Sequence, residues 1–359
     1  MVGGADNDYN DAQTWVESFI PGASCWVTEP AMSTARKGPG AAQYGTSLYV
    51  AGGYGLSSVE AFTGSAWEIK ASMSTVRQYF CLVSYGTMLY ALGGEGSNGY
   101  LDVQSSVEAF NGADWSATSG FTLQTARSHF GCAVFNNRLY TVGGRSGEGS
   151  GLSSVEVYDG TTNTLAPSMG TARYNHGVAA FNDRLYAVGG SGTTAETTVE
   201  FFDGSTWSSQ SSAIDAWMYG GIVSLGASLY LIAGSPSGGR TDAVRRGYIA
   251  SAGATDITFT AAATLNLGAR AAPGAASFDP SVSVGASASI TGDPHVHGAH
   301  GDSFDFKGEH GGIYVLLSTA RLSLSARFVH EGFTTPYSKL HVRGSWIRSV
   351  PPLPNATST

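Results

Sequence analysis

The stretches TARYNHGVAAFNDRLYAVGG (residues 171–190) and TTVEFFDGSTW (residues 197–207) predict four short β-strands in succession. The first strand turns at Asn182-Asp183, a pair of residues typical of tight turns. The second ends at Gly189-Gly190, where the lack of a Cβ permits positive φ and close approach of another backbone. The third leads through a turn into a fourth that contains Trp207. These two stretches therefore describe one small antiparallel sheet.

The same pattern recurs along the chain. Copies begin at Arg36, Arg77, Arg127, Arg173 and, with a change, Trp217, so that successive starts are 41, 50, 46 and 44 residues apart. The first strand pair has constant length and the connections vary, as expected for one supersecondary unit per repeat. We expect the repeated glycines and tryptophans to be structural: Gly52, Gly53, Gly93, Gly94, Gly143, Gly144, Gly189, Gly190, Trp67, Trp115 and Trp207.

A four-stranded unit of this length cannot bury both of its faces alone, and radial repetition of such sheets gives a β-propeller. The spacing and the Gly-Gly, aromatic and Trp order resemble kelch repeats over roughly residues 25–280. A sixth start at Arg270 lacks the later landmarks, and the strand at Trp26 lacks a sheet. We therefore expect an all-β fold: a six-bladed kelch-type propeller closed by an N-terminal outer strand, plus a small C-terminal β segment. Five blades are the alternative.

A residue present in every repeat is expected to be structural, because one binding site does not need many copies of itself. The repeated strand glutamates Glu60, Glu108, Glu156 and Glu200 each need a partner if they are buried. The repeated arginines are the candidates, since the fifth copy loses both residues together.

The third copy has Leu165 near the position of the repeated tryptophan, so we expect looser packing between the sheets there.

Composition limits the class of partner and the compartment. The net charge is −8 without clusters of Lys or Arg, which argues against binding to nucleic acid. No apolar run is long enough to insert in a membrane, and residues 1–24 form a polar lead-in without features of a signal peptide. The three cysteines give no disulfide framework, and Cys81 and Cys132 are expected to be core residues. These features favour a cytoplasmic location, although a fragment of an extracellular protein remains open.

The residues that follow each repeated arginine start the innermost strand at one mouth of the channel, and these residues vary. In kelch propellers that bind proteins, contacts come from these positions and from the loops between the second and third strands. By this resemblance, the predicted partner-binding residues are Lys37, Gln78, Tyr79, Ser128, His129, Tyr174, Asn175 and Tyr219. The alternative is that they only solvate the channel mouth. The long loops 95–104 and 145–152 are expected to border the same face.

A second segment follows the propeller. The sequence ITGDPHVHGAHGDSFDFKGEHGGIYVLLS, residues 290–318, resembles the start of a von Willebrand factor type D domain but lacks the cysteines of that family. We therefore divide the chain into a flexible lead-in (1–24), a propeller (25–289), a partial type D-like β segment (290–349) and a tail (350–359).

The type D-like segment also predicts a candidate metal site. Asp293, His295, His297 and Asp302 lie close together in sequence, and His295 and His297 share one face if they lie on a strand. The type D family binds calcium, so Ca²⁺ or another divalent metal is the ion implied. An exposed, turn-rich entry without metal is the alternative. No other cofactor is predicted.

The sequence supports three functional hypotheses. The first is a non-catalytic kelch propeller that binds a partner protein or peptide at the channel mouth. The second is a secreted or surface adhesion module that uses the propeller together with the type D-like segment. The third is a copper oxidase, because some kelch propellers hold copper beside a tyrosine cross-linked to a cysteine. The sequence does not set the oligomeric state.

Overall fold

A computed structural model describes residues 1–5, 11–19, 25–147, 149–191, 196–210, 214–235, 241–249, 256–262, 264–266 and 273–277, together with five strands between residues 289 and 327. The chain divides into two units, Met1–Pro280 and Ser281–Thr359. The described residues are all-β. They contain no helix that could cross a membrane.

The first unit is built from strands that follow one another in antiparallel hairpins. Two amino-terminal strands are β1 (Val16–Ser18) and β2 (Val27–Glu29). Blade 1 comprises β3 (Gly40–Tyr44), β4 (Ser47–Ala51), β5 (Val59–Phe62) and β6 (Trp67–Lys70). Blade 2 comprises β7 (Cys81–Tyr85), β8 (Met88–Leu92), a small hairpin of β9 (Glu95–Gly96) and β10 (Gly99–Val103), then β11 (Val107–Phe110) and β12 (Trp115–Ala117).

The remaining blades repeat this order. Blade 3 comprises β13 (Gly131–Phe135), β14 (Arg138–Val142), β15 (Val155–Tyr158) and β16 (Asn163–Ala166). Blade 4 comprises β17 (Gly177–Phe181), β18 (Arg184–Val188), β19 (Val199–Phe202) and β20 (Trp207–Ser209). Blade 5 comprises β21 (Gly221–Leu225), β22 (Ser228–Ile232), β23 (Val244–Ile249) and β24 (Ile257–Ala261).

The blades pack face to face, with neighbouring innermost strands in contact from β3 through β7, β13 and β17 to β21. Buried apolar clusters fill the space between neighbouring blades. Between blades 3 and 4, for example, Val142 and Leu185 are completely buried. Because each sheet has two apolar faces, neither blade of a pair could bury its surface alone.

The predicted pairing of repeated arginines and glutamates is confirmed in four blades. The pairs are Arg36–Glu60 and Arg77–Glu108 at 3.1 Å, and Arg127–Glu156 and Arg173–Glu200 at 2.7 Å. All four arginine side chains are 0% exposed. Each arginine also donates from Nη1 to the carbonyl of the first glycine of its own blade. In blade 5, Trp217 Nε1 makes the corresponding bond to the carbonyl of Ala233, at 2.9 Å.

Each repeated glutamate also holds the connection that enters its blade. Glu60 accepts hydrogen bonds from the Ser33 hydroxyl and from the backbone N–H groups of Ser33 and Thr34. Burial acts to raise the pKa of Glu60, but the bonds from Ser33 and Arg36 outweigh it and hold that pKa below its ordinary value. The carboxylate therefore stays ionised. Arg36 requires this, because its buried charge has no other counterion among the described residues.

The repeated glycine pair joins neighbouring blades. The second glycine donates its backbone N–H to the carbonyl of the arginine that starts the next blade, as in Gly94 N to Arg127 O at 2.9 Å. The first glycine has a φ of +56° at Gly93, and a Cβ there would lie 2.7 Å from the same carbonyl oxygen. A side chain is therefore excluded by both backbone conformation and space.

The prediction of loose packing around Leu165 is wrong. Leu165 is 62% exposed, and Asn163 occupies the register of the repeated tryptophan, opposite Tyr158. Phe121, from the connection into blade 3, stacks on Tyr158 with ring centroids 3.8 Å apart and is 2% exposed. Asn163 Nδ2 donates to the carbonyl of Thr122 at 2.9 Å, much as Trp207 Nε1 donates to that of Pro167. The aromatic ring and the polar contact are thus supplied by two residues.

The prediction of six four-stranded blades is also wrong, because the described residues form five. The gap between blades 5 and 1 holds residues 1–5, β1, β2 and residues 273–277, here called the terminal sector. Val2 and Gly274 exchange backbone hydrogen bonds of 2.8 and 2.9 Å, Val2 bridges Val16, and β1 pairs with β2. After residue 270 the chain lacks the Leu-Tyr and Gly-Gly landmarks, so the terminal sector has bridges where the blades have full strands.

The sequence predicts a flexible lead-in over residues 1–24, and the described part of this segment is instead packed into the propeller. Val2 is 1% exposed and Val16 3% exposed. Glu17 accepts the backbone N–H of Asn266 at 2.8 Å, as Glu108 accepts that of Ser74 in blade 2. The reason is that blades 5 and 1 both have an apolar face toward the terminal sector, and these residues cover them.

The expectation of unpaired cysteines is wrong for two of the three. Cys81 on β7 and Cys132 on β13 form a disulfide with Cα atoms 6.1 Å apart, within the usual range for such bonds. It links the innermost strands of blades 2 and 3. Cys25 is free and exposed. The cysteines therefore no longer favour a cytoplasmic location.

The described residues of the second unit form two small antiparallel sheets. One comprises β25 (Ser289–Thr291), β26 (His295–His297) and β27 (Ser303–Asp305), and the other β28 (Ile313–Ser318) and β29 (Ser323–Arg327). The boundary between units, at residues 280 and 281, falls before the predicted one at 289 and 290. The resemblance to a type D domain stays a prediction, and the predicted tail 350–359 lies outside the described residues.

Candidate functional site

A chain of backbone hydrogen bonds runs around the channel at the end where the innermost strands begin. Tyr79 N donates to Gly38 O at 3.0 Å, His129 N to Tyr79 O at 2.9 Å, Asn175 N to His129 O at 2.8 Å and Tyr219 N to Asn175 O at 3.0 Å. All five residues have φ between +49° and +63°. This backbone is strained for the four non-glycine residues and recurs in every blade. We call this end of the channel the mouth.

Three rings from different blades meet across the mouth. Tyr79 stacks on His129 with centroids 4.0 Å apart, and Tyr219 of blade 5 meets the same His129 edge-on at 6.4 Å. Tyr79 also lies against Gly38 of blade 1, where an added Cβ would be 2.8 Å from its ring. A contact from blade 3 to blade 5 that passes over blade 4 requires the rings to project into the opening of the channel. We call these three rings the aromatic platform.

Beyond the mouth, the channel contains a cavity of about 330 Å³. Its wall is formed by β3, β7, β13, β17 and β21 and by residues 275–277 of the terminal sector. The wall side chains are mostly small and apolar, such as Ala42, Val83, Ala133 and Ala179. Side-chain chemistry suited to recognition is therefore found at the mouth.

A second set of mouth residues was missed by the sequence reasoning. Each blade places the residue after its glycine pair beside the start of its innermost strand: Tyr54 by Lys37, Glu95 by Gln78, Arg145 by Ser128, Ser191 by Tyr174 and Ser235 by Met218. The position is fixed by the repeat while the residue type changes. That same signal identified the first set of mouth residues, and it would have found these too.

Glu95 is the centre of a polar cluster between blades 2 and 3. It is 4% exposed and lies 3.0 Å from Arg145 Nη2. It also accepts hydrogen bonds from Ser128 Oγ at 3.1 Å and Gln78 Nε2 at 3.3 Å. The cation of Arg145 in turn lies 5.9 Å from the ring of Tyr174 in blade 4. The predicted loops 95–104 and 145–152 thus reach the mouth through their first residues.

His129 is neutral at the mouth. Burial, together with the nearby charge of Arg145, lowers its pKa to about 3. Its Nδ1 lies 3.3 Å from Glu95 Oε1 and 3.1 Å from Ser128 Oγ. At physiological pH the ring is therefore neutral, and its contact with Glu95 is not an ion pair.

The eight predicted partner-binding residues all lie at the mouth, but they are not equally accessible. Gln78, Ser128 and Asn175 are buried, at 3%, 0% and 8% exposure. The other five, Lys37, Tyr79, His129, Tyr174 and Tyr219, are partly buried. Lys37 Nζ lies 5.9 Å from the ring of Tyr54, which is 67% exposed. Direct contact with a partner is thus most open to Lys37, Tyr79, Tyr174 and Tyr219, because the side chain of His129 is only 8% exposed.

His176 makes stability depend on pH. It stands where blades 2 and 3 have Phe80 and Phe130, and burial, aided by Arg173, lowers its pKa to about 3. The unfolded chain binds this proton below about pH 6.5, so stability present above pH 6.5 is lost as the pH falls toward 3. Between pH 7.5 and 4.5, we expect wild type to lose about 3 kcal/mol more of its free energy of unfolding than His176→Phe does. This figure follows from about 1.36 kcal/mol per pH unit below pH 6.5.

Urea unfolding at several pH values checks this expectation. Phe130→His, which introduces the same ring at the equivalent position of the neighbouring blade, is the converse variant. It should steepen the acid loss. Equal pH dependence in wild type and His176→Phe would contradict the neutral buried state of His176.

The predicted metal site is not tested by the described residues. His295 and His297 both lie on β26, two residues apart, and His295 is opposite Asp305 in the register of β27. Asp293 and Asp302 lie outside the described residues. Within the part of the chain that is described with side chains, no three His, Cys, Asp or Glu residues are grouped to hold a metal. The Ca²⁺ or divalent metal site stays a prediction.

Comparison with known proteins supports the repeat and the fold. A family model described as Kelch motif matches residues 126–164 and 172–212, within blades 3 and 4. A solved structure titled "Structure of YjhT" has a TM-score of 0.61 at 14% identity, covering 72% of this chain and 96% of that one. No curated protein matches. At such low identity the structural likeness shows the fold alone. The chain thus contains kelch motifs and folds as an all-β propeller.

Proposed function

We propose that this protein is a non-catalytic interaction scaffold that binds a partner protein or peptide at the mouth. The observation that supports this proposal is the contrast at the mouth between a repeated backbone and unrepeated side chains. The same left-handed conformation and hydrogen bonds recur at Gly38, Tyr79, His129, Asn175 and Tyr219. A rigid frame that presents different side chains suits selective recognition.

The chemistry of the mouth also suits a protein partner. Partly buried aromatic rings supply contact area at low entropic cost, and tyrosine is enriched where interfaces contribute most of their binding energy. Exposed apolar side chains border the mouth on the loop of blade 1 at Tyr54 and on the β9–β10 hairpin at Tyr100 and Leu101, which are 67%, 59% and 76% exposed. A partner could cover these together with the aromatic platform.

The proposal is tested by affinity capture with two matched triple variants. The mouth variant combines Tyr79→Ala, His129→Ala and Tyr219→Ala. The control combines Ile69→Ala, Leu165→Ala and Tyr248→Ala, which removes three exposed side chains from strands away from the channel. We expect the mouth variant to lose specific partners and the control to keep them, provided that both retain the wild-type thermal unfolding profile. If every partner survives the mouth variant, the proposed face is wrong.

A second candidate, an adhesion module in an oxidising compartment, is favoured by the Cys81–Cys132 disulfide, because such bonds persist mainly outside reducing compartments. In this hypothesis the type D-like segment contributes to binding alongside the propeller. Mass spectrometry after alkylation of free thiols, on protein trapped in its native cells, tests the compartment. One labelled cysteine supports an oxidised state, and three contradict it. The same disulfide removes both cysteines from any cross-link to tyrosine of the kind found in copper oxidases.

A further inference from the structure

Four tyrosines lie at the mouth, Tyr54, Tyr79, Tyr174 and Tyr219, and Tyr100 lies on the β9–β10 hairpin that begins there at Glu95. Two of them already have a cation of this chain nearby, because Lys37 Nζ is 5.9 Å from the ring of Tyr54 and Arg145 Cζ is 5.9 Å from that of Tyr174. An aromatic face attracts a cation through its quadrupole, and the attraction grows where water is partly excluded. The rings of the aromatic platform, which project into the opening of the channel, have this property too.

Three further carboxylate residues lie on the connections that begin at this end of the channel. Asp102, Glu196 and Asp242 lie on the connections between second and third strands in blades 2, 4 and 5, and each is partly buried. Glu196 is placed at the mouth by its backbone N–H, which donates to Gly190 O at 2.9 Å. None of the three forms an ion pair within the described residues. Glu95, by contrast, already has Arg145 as its counterion.

An independent observation comes from Gln78. Its side chain is 97% buried, since the residue is 3% exposed, and its Nε2 donates to Glu95 Oε2 at 3.3 Å. The Oε1 atom is buried without a hydrogen-bond partner. The orientation of the amide is fixed, because only the nitrogen can donate to the carboxylate. The mouth therefore contains a buried acceptor without a donor, and such a group is costly to leave unpaired.

We propose that the segment recognised at the mouth is basic. A lysine or arginine side chain has only hydrogen-bond donors, so it can satisfy an acceptor, lie on aromatic faces and pair with carboxylates at once. The net charge of −8 also attracts a basic partner before contact. An acidic segment would meet Asp102, Glu196 and Asp242 with like charge. Of the two cations at the mouth, Arg145 is neutralised by Glu95, which leaves Lys37 against the three carboxylates. This inference rests on the proposed function, because it names the partner class for the same mouth.

Calorimetric titration of the full chain with defined peptides tests the inference. The probe is an amidated nonapeptide of alternating glycine and arginine, and the comparison peptide has glutamate in place of arginine. The mouth charge variant combines Asp102→Asn, Glu196→Gln and Asp242→Asn. The control combines Glu68→Gln, Asp114→Asn and Asp183→Asn, which removes the same charge from residues away from the mouth face. We expect the mouth charge variant to bind the arginine peptide about tenfold more weakly and the control to match wild type.

The outcomes separate this inference from the proposed function. Equal binding of the two peptides overturns the inference, because the mouth then has no preference for a basic segment. Equal weakening by the mouth charge variant and its control also overturns it, because the attraction then depends on net charge alone. The proposed function survives that result if the Tyr79, His129 and Tyr219 triple variant still loses its captured partners. If the triple variant keeps every captured partner, the proposed function fails, and this inference fails with it.

Discussion

Glu156→Gln is expected to lower the free energy of unfolding by about 3–5 kcal/mol, the usual cost of leaving a buried charge without its partner. Arg127, at 0% exposure, loses its only counterion among the described residues, while the shape of the side chain is conserved. The backbone N–H groups of Gln124 and Thr125 lose their bonds to a charged acceptor as well. Urea unfolding at pH 7.5 measures the effect.

The matched control is Glu68→Gln. Glu68 pairs with Lys70 at 2.7 Å on the outermost strand of blade 1 but is 53% exposed, so water competes for both charges. We expect this substitution to cost less than about 1 kcal/mol. Similar losses for the two variants would contradict a special role for the buried pair.

Gly93→Ala is expected to cost about 2–5 kcal/mol, of which about 1–2 kcal/mol reflects a side chain at positive φ and about 1–3 kcal/mol the clash. The added Cβ would lie 2.7 Å from Arg127 O and 3.1 Å from Leu123 Cδ1 and Phe130 Cε1. This carbonyl oxygen accepts the hydrogen bond that joins blades 2 and 3. Relief of the clash would therefore require the two blades to separate.

Gly86→Ala isolates the backbone contribution. Gly86, in the same blade, has a φ of +59°, against +56° for Gly93, and nothing lies within 4 Å of an added Cβ. We expect a loss of only about 1–2 kcal/mol, because the space is open. Thermal and urea unfolding of the two variants measures the difference. If both lose the same stability, close approach of the blades is not the reason for the repeated glycine.

The repeat made much of the fold predictable. Fixed spacing from Arg173 to Gly189, with the same spacing in other copies, placed the strands and indicated which residues serve every blade. The loss of both Arg and Glu in the fifth copy predicted their pairing, because a buried ion cannot keep its place without its partner. Repetition is informative here since each blade solves the same packing problem.

The repeat could not predict the contacts that differ from one blade to the next. Phe121 and Asn163 together replace the tryptophan of blade 3, and they are 42 residues apart, so no local pattern links them. The pairing of Cys81 with Cys132 requires the two residues to lie at the same height on the innermost strands of neighbouring blades. The sequence does not reveal this alignment, because the connections between blades differ in length. The short bridges of the terminal sector likewise depend on contacts between distant parts of the chain.

The predicted partner-binding residues lie at the mouth, but their accessibility was not predictable from the sequence. Ser128 and Gln78 are buried because both donate hydrogen bonds to Glu95, the residue that follows the glycine pair of blade 2. A neutral His129 was equally unpredictable, since its pKa depends on burial and on Arg145 from a different connection. The binding role of the eight residues stays a prediction.

Hydrogen–deuterium exchange of the full chain, alone and with a captured partner, tests the location of the binding face most directly. We predict that protection on binding is concentrated in peptides containing residues 78–79, 128–129, 145, 174–175 and 218–219, which come together only at the mouth. Protection confined to the outermost strands β6, β12, β16, β20 and β24 would contradict recognition at the mouth.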